Sequence, residues 1–493
     1  MSIIEKLNKI RSSSGSPLTY GLSDEKIISL TKVSPSLSLA VDSAISVFDH
    51  LQDYERQILL KNEQELIDEV QAGYVNFYAK DAVQPFIALA AYGPWIISAY
   101  GSVIYESGGY GMLGLGHNPL EVHRTLGRSY VMANIMTPSL QQLRFVNKLR
   151  ENIGFKRSAS MRHPYQKFIC LNSGSESMTM ALRISDLNAA VQVGKNGKHQ
   201  GKKTKYIALK GGFHGRTDQP AQISDSCLAK YRDHLASFMN RDNLIIVEPN
   251  DCKDLKSKWE DARLNGVFIE AIILEPVMGE GNPGLAISPE FYALARKLSE
   301  DNDAVFIVDS IQAGFRAHGC LSVTDFPGFE NLAPPDMETY SKAINAGQYP
   351  LSVLALGARV VNLYKTGIYG NTMTTNPRAL EIACTVLDQI NETMRQNIVQ
   401  KGHELLEKFK KLNKELGGAI SRIEGTGLLF ACHFDKKRLP VLGVNGLEYK
   451  MRLRGINVIH GGENALRFTP QFAIASWEID LIVDTLKEAI LAS

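Results

Sequence analysis

The chain has 493 residues, 44% of them hydrophobic, enough to bury a large core and build two or more lobes. Lys plus Arg (54) nearly balances Asp plus Glu (52), so no global field exists to recruit nucleic acid or an anionic membrane. The six cysteines (Cys170, Cys227, Cys252, Cys320, Cys384 and Cys432) include no CxxC pair and no metal-ligand spacing, which argues for reduced thiols in a cytoplasmic compartment and against a disulfide framework or a metal site.

The N-terminus, MSIIEKLNKIRSSSGS, has no long apolar segment after its charges and does not read as a secretory signal. Ser-rich connectors then alternate with helical patterns such as SLAVDSAISVFDHLQDYERQILL, so residues 1–92 are expected to form a helical extension and part of a small lobe. The most apolar stretch, 86–105, is broken by Gly93, Pro94 and Gly101, whereas a spanning helix needs about 20 uninterrupted apolar residues. It reads as two short strands and a turn. The glycine-dense turn that follows, GGYGMLGLGHNP, contains a G-x-G-x-x-G match at 109–114, but no acid stands where a ribose contact would need one, so nicotinamide binding is set aside.

Residues 93–376 repeat one theme, a short apolar run followed by a helical pattern: KFICLN then SESMTMALRISD, NLIIVEP then a helix, AIILEP then SPEFYALARKLSED, and AVFIVDS beyond. Continuous apolar runs alternating with helices indicate a large α/β domain whose mostly parallel sheet is covered on both faces. The charge run at 193–205 fits a solvated insertion. Residues 377–493 combine a long helical stretch, strands around GTGLLFACHF, INVIHGG and ALRFTP, and a terminal helix, the mix of a smaller α+β domain.

Four places lie where strands of such a sheet hand over to loops, which is where open parallel sheets bind ligands. Asn172-Ser173-Gly174-Ser175-Glu176 brings small residues and backbone N–H groups to a helix N-terminus that could take a phosphate; taken alone it is also an ordinary N-cap. Phe213, with Arg216 three residues on, offers a ring to stack on a flat cofactor and a guanidinium for a carboxylate, or else a glycine turn with a core Phe and a surface Arg. Asp309 closes the all-apolar run AVFIV, where a carboxylate needs a positive partner; a protonated pyridine nitrogen would serve, and so would a role as a helix cap. Lys342, between a strand-like run and a glycine-bearing loop, is either a Schiff-base nucleophile or a solvated lysine.

The order of these pieces removes the ambiguity. NSGSES, FHGRT, EPVMGE, DSIQAG, SKA and GNTMTTNP follow one another as the chain resembles the class III (ornithine/GABA-type) aminotransferases of pyridoxal-5′-phosphate (PLP) fold type I, from about Gly93 to the C-terminus. The resemblance implies that Lys342 carries the cofactor and moves protons, Asp309 pairs with the ring nitrogen, Gly174 and Ser175 hold the phosphate, Phe213 stacks on the ring, and Gln312 reaches toward its phenolic oxygen. It implies that Thr372 binds the phosphate of a neighbouring subunit's cofactor, making the enzyme a homodimer. For substrates it implies Arg216 and Arg467 for the carboxylates of 2-oxoglutarate, Glu280 to neutralise the second of those arginines when an ω-amine enters, and Tyr110 lining the donor pocket. Departures are Ser310 where the family usually has Glu, Met278 for a common Gln, Thr374-Thr375 for a Gly pair, and Phe315-Arg316, which resembles the aminomutase branch.

The expected function is therefore transamination by ping-pong half-reactions, from an amino acid or ω-amine donor (ornithine, acetylornithine, lysine, GABA or a diamine) to 2-oxoglutarate. An aminomutase or amino-acid racemase on the same scaffold, and a non-catalytic PLP-fold binding protein, are the competing readings.

Overall fold

The computed structural model describes all of residues 1–493, which separate into two compact units: Arg124–Val399 with Gly425–Leu429, and Met1–His123 with Gln400–Glu424 and Phe430–Ser493. In chain order the strands are β1 (Ala88–Tyr92), β2 (Trp95–Ser98), β3 (Val103–Glu106), β4 (Lys167–Leu171), β5 (Lys203–Leu209), β6 (Leu244–Val247), β7 (Val267–Leu274) and β8 (Val305–Asp309). They continue as β9 (Met337–Tyr340), β10 (Ser352–Leu356), β11 (Arg422–Thr426), β12 (Leu429–His433), β13 (Ile456–Asn457), β14 (Ile459–Gly461) and β15 (Ala465–Phe468).

The unit Arg124–Val399 is built on a seven-stranded sheet in the order β4-β10-β9-β8-β7-β5-β6. The pairs β5–β6, β5–β7, β7–β8 and β8–β9 are parallel, and β10 runs antiparallel to both β9 and β4. Side chains alternate across a strand, so the apolar runs Ala271–Leu274 of β7 and Val305–Val308 of β8 feed two cores at once. Ile272, Leu274, Phe306 and Val308 pack with Trp259, Phe291 and Tyr292 on one face. Ala271, Ile273, Val305 and Ile307 pack with Met178, Met180 and Leu182 on the other.

Met178 to Leu182 belong to the helix Gly174–Val193, which is N-capped by Ser173 and closed by a capping box with Glu176. Farther along, Ser185 donates to Glu270 of β7 at 2.7 Å and Tyr206 of β5 adds a second bond at 2.9 Å. This buried carboxyl fixes the helix against the sheet and with it the aim of the helix N-terminus.

In the other unit, helices Ile3–Arg11, Asp24–Thr31, Pro35–Asp49, Asp53–Ile58 and Glu63–Ala72 form the expected N-terminal extension. It is not loosely appended. Glu63 is fully buried and accepts backbone N–H bonds from Leu18, Thr19 and Ile87, while Trp95 Nε1 donates to Ser34 Oγ at 2.9 Å. The strands β1-β2-β3 form an antiparallel meander whose last member pairs in parallel with β13, and β11-β12-β15-β14 form a second sheet. The divisions expected at 92/93 and 376/377 thus fall differently here. Pairing with β13 draws residues 88–106 into one unit with the C-terminal residues, while the helix Pro377–Gln389 packs on the helix Leu140–Asn152 in the other. No helix is long and apolar enough to cross a membrane.

Burial pushes the Glu270 carboxyl up to about 7, against the opposing pull of its bonds from Ser185 and Tyr206. A carboxyl raised in the folded state contributes stability that is complete below its unfolded value, near 4.5, and is lost as pH rises through about 7. At about 1.4 kcal/mol per unit this amounts to about 3 kcal/mol. Glu270→Gln, neutral at every pH, is expected to gain on the wild type in melting temperature between pH 5 and pH 8; parallel pH profiles for the two proteins would contradict this.

Candidate active site

Strand β8 ends inside the sheet on Asp309, whose carboxylate is 3% exposed. Burying it requires donors, and three segments supply them. Ile311 N and Thr339 Oγ1 donate to Oδ1 at 3.1 and 3.3 Å, and His214 Nδ1 lies 2.9 Å from Oδ2. Thr339 is the β9 residue paired with Asp309, and Lys342 follows three positions later. Lys342 is half-buried and has φ 43°, a left-handed conformation that costs a non-glycine residue about 1–3 kcal/mol. Ser341 Oγ donates to Leu351 O at 2.9 Å and Ser352 Oγ to Ser173 O at 2.7 Å, which ties the Lys342 turn through β10 to the N-cap of the helix Gly174–Val193.

That helix N-terminus packs directly on the loop carrying Phe213. Arg216 N donates to Ser175 Oγ at 3.3 Å. Gly215, at φ 124°, sits so close that a Cβ would lie 2.4 Å from the same oxygen, so only glycine is tolerated there. Phe213 is half-buried, its N–H held by Glu275 Oε1 at 3.0 Å, and the Arg216 guanidinium covers its ring at 5.3 Å from the centroid. Gln312 is buried three residues beyond Asp309, and Gly279 approaches it so closely that a Cβ would meet its amide carbon at 2.2 Å.

Glu280, next to Gly279, reaches Arg216 Nη2 at 3.3 Å. Both members of this pair are partly exposed, at 41% and 30%. The arginine that Glu280 meets in this unit is therefore Arg216. Thr372 is exposed, on a segment tied to the helix N-terminus by Asn371 Nδ2 to Glu176 Oε1 at 2.8 Å. Thr375, close by, holds φ 59°, an uncommon conformation for a β-branched residue.

Tyr110 and Arg467 belong to the other compact unit, where shared supports join them. Tyr110 sits at φ 48°, ψ 22° between two left-handed glycines. Glu106 Oε1 accepts from Gly108 N at 2.8 Å and Gly109 N at 2.7 Å, and Thr469 Oγ1 accepts from Gly111 N at 3.1 Å. Thr469 stands two residues after Arg467, which is buried in β15 opposite Ala431 and Ile459.

Two buried ionisable groups were not singled out from the sequence although both lie inside quoted motifs, His214 in FHGRT and Glu275 in EPVMGE. Glu275 accepts from Gly279 N at 2.8 Å as well as from Phe213 N, and burial pushes its carboxyl up to about 7. The departures also find physical explanations. Ser310 donates to Glu338 Oε1 at 2.5 Å, so the missing carboxylate is supplied by the neighbouring strand, where Tyr165, Ser322, Tyr340 and the Val323 N–H also donate to it. Met278 is core, and Phe315 and Arg316 are fully buried, with Arg316 donating to Leu428 O.

These groups suit PLP. A shielded carboxylate is the partner a pyridinium nitrogen needs, a capped 20-residue helix presents its positive end to a phosphate, and a strained lysine stands on the adjoining strand end.

The model of the aminotransferase class-III family matches residues 82–490. The mitochondrial acetylornithine aminotransferase of Debaryomyces hansenii is 26% identical over 447 residues, covering 87% of this chain and 90% of its own. The ornithine aminotransferase of Staphylococcus carnosus is 24% identical over 408 residues, covering 82% and 94%. In fold, the chain is similar to an ornithine aminotransferase from Toxoplasma gondii with partial occupancy of PLP at its active site (TM-score 0.73, 22% identity, 89% and 97% covered). It is also similar to an S-selective transaminase from Bacillus megaterium (TM-score 0.72, 16% identity, 88% and 98% covered). With the family match running from residue 82 almost to the C-terminus, the chain belongs to the class-III aminotransferases, PLP-dependent enzymes that pass an amino group from a donor to a keto acid.

Proposed function

We propose that this enzyme takes its amino group from an ω-amine or amino acid of the ornithine, acetylornithine, lysine, GABA or diamine type and delivers it to 2-oxoglutarate in two half-reactions at one pocket. The observation that carries this reading is the pairing of Arg216 with Glu280 at 3.3 Å. A pocket that serves two substrates in turn must accept a carboxylate in one half-reaction and tolerate its absence in the other. A partly exposed ion pair contributes only about 0–1 kcal/mol, so an incoming carboxylate that binds Arg216 bidentately displaces Glu280 at little cost. When the incoming chain bears no carboxylate there, Glu280 returns and Arg216 is not left as an unpaired charge. The names of the ornithine and acetylornithine aminotransferase relatives support a donor of this kind.

In this reading Lys342 is the covalent attachment point of the cofactor, and its Nζ moves the proton from the substrate carbon once the donor has displaced it. The bound cofactor supplies an electron sink. Asp309 holds the ring nitrogen, Gly174 and Ser175 hold the phosphate, Phe213 covers the ring and Gln312 addresses its phenolic oxygen. Tyr110 and Arg467 act on the substrate. A reducing compartment, the cytoplasm, suits the six free thiols.

The working unit is proposed to be a homodimer in which Thr372 serves the partner's phosphate. Thr372 lines an apolar groove of about 800 Å³ together with Ile135 and Met136, which are 64% and 85% exposed, and Met132 and Met373 nearby are also exposed. A continuous apolar area of this kind marks an association surface.

Lys342→Ala is expected to abolish transfer. Glu280→Ala should lower kcat/KM for ω-amine donors about fivefold while leaving the glutamate/2-oxoglutarate half-reaction unchanged or faster. Single half-reactions, followed by the cofactor's absorbance with each amine in turn, decide this; donors that are all α-amino acids, or an isomerised product formed without a keto acid, would overturn the assignment. By sedimentation the wild type should have twice the chain mass, and Met136→Asp should shift it toward the single chain with loss of activity. A fully active wild-type monomer would refute the shared site.

A further inference from the structure

Arg216 has a fixed backbone and a side chain that must be steered. Its N–H is tied to Ser175 Oγ, yet the side chain is 41% exposed. A long cation left free to rotate loses conformational entropy each time it meets a ligand in one geometry, so whatever orients it beforehand improves binding. Three groups take part. The Phe213 ring lies under the guanidinium, 5.3 Å from centroid to Cζ; Glu280 Oε1 accepts from Nη2 at 3.3 Å; and Cys227 Sγ accepts from Nη1 at 3.6 Å. Tyr231, one turn beyond Cys227 on the same helix, lies within electrostatic reach of the charge.

The sulfur is held as firmly as the loop it faces. Cys227 stands in the first turn of the helix Asp225–His234, and that turn is pinned to the segment carrying Phe213 and Arg216. Gly211 N donates to Asp225 Oδ2 at 2.7 Å, Ser226 N to Gly212 O at 3.2 Å, and Ser224 Oγ to Gly215 O at 3.1 Å. Leu228, next to Cys227, is buried with Ala221 and Phe238. Cys227 itself is half-buried, and Ser226 Oγ lies 3.7 Å from its sulfur. Burial pushes its thiol up, so the group beside Arg216 is neutral at pH 7.

A neutral sulfur and a carboxylate hold a guanidinium in different ways. Sulfur is a weak acceptor, so it orients Nη1 but yields to an entering oxygen. It also leaves the positive charge intact, whereas a carboxylate at the same place would cancel it. We propose that Cys227 is a positioning residue that sets the specificity of Arg216, aiming Nη1 toward the carboxylate of the 2-oxo acid without competing for it. This rests on the reading of Arg216 as the residue that meets that carboxylate. A substrate carboxylate arriving across Nη1 and Nη2 then has one charged competitor to displace, Glu280, and one neutral partner that gives way. The helix Asp225–His234 thereby joins Phe213 and Glu280 as a wall of the acceptor site.

The test is steady-state kinetics of the holoenzyme with 2-oxoglutarate varied, beside the donor half-reaction of an amine that carries no carboxylate. Cys227→Ala should raise KM for 2-oxoglutarate about threefold, the effect of one weak hydrogen bond, with kcat within about twofold. Cys227→Ser, which keeps an acceptor at the position, should recover part of that loss. Cys227→Asp should raise the same KM about tenfold or more, because a fixed carboxylate would hold Arg216 and repel the substrate. The carboxylate-free amine should respond to none of these changes; a KM shift shared equally by that amine would mean a general loss of site structure and overturn the proposal. Arg216→Leu separates the two ideas. If it leaves KM for 2-oxoglutarate unchanged, the reading of Arg216 is wrong. If it raises that KM while folded Cys227→Ala and Cys227→Asp match the wild type, only the present proposal is wrong.

Discussion

Everything around the site answers to one cost, that of burying the Asp309 carboxyl group in the middle of a protein interior with its oxygens satisfied. An unpaired buried charge is worth several kcal/mol of destabilisation, and its donors come from three different segments: its own loop, the next strand and the loop after β5. Those segments must therefore be held in register before any ligand arrives. The sheet does this by pairing Asp309 with Thr339, and the helix Gly174–Val193 does it by packing its first turns on Ile311 and Ser175 on Gly215. The strain at Lys342 and the close glycine contacts follow from bringing so many groups to one strand end.

The chain solves the same problem twice, with opposite choices about solvent. Glu338 is a buried carboxylate surrounded by neutral donors, four hydroxyls and a backbone N–H, and no cation is needed. Such a network is rigid because every partner would leave a polar group unsatisfied on moving. The Arg216–Glu280 pair is partly exposed, weak and replaceable. A fixed network and an exchangeable ion pair are thus distinguished by burial alone.

Much of this was legible in the sequence. Apolar runs in β4, β6, β7 and β8 announced a sheet buried on both faces, and the order of six short motifs announced the family. What escaped were features whose signal lies in tertiary pairing. SVLAL, now β10, is apolar like its neighbours, but nothing local marks it as the antiparallel strand between β4 and β9. His214 and Glu275 sit in full view inside motifs, yet a buried ionisable residue is recognisable only by its partner, 95 residues away for His214. The contact of Glu280 with Arg216, 64 residues away, is hidden for the same reason. Domain boundaries were displaced because β3 finds its partner in the C-terminal region, which no local pattern encodes.

That last pairing bears on how the chain comes into being. Ser107 Oγ, at the end of β3, donates to Asn457 O across 350 residues of sequence, and β3 is buried at all four positions. At about 5–20 residues per second, a ribosome takes roughly 20–70 s to deliver the strand that covers it. The seven-stranded sheet, complete by residue 356, can form in that interval. The edge of β3 cannot be satisfied until β13 is synthesised, so nascent chains carry an apolar, unpaired strand edge through most of translation, a demand on chaperones that the finished enzyme no longer shows.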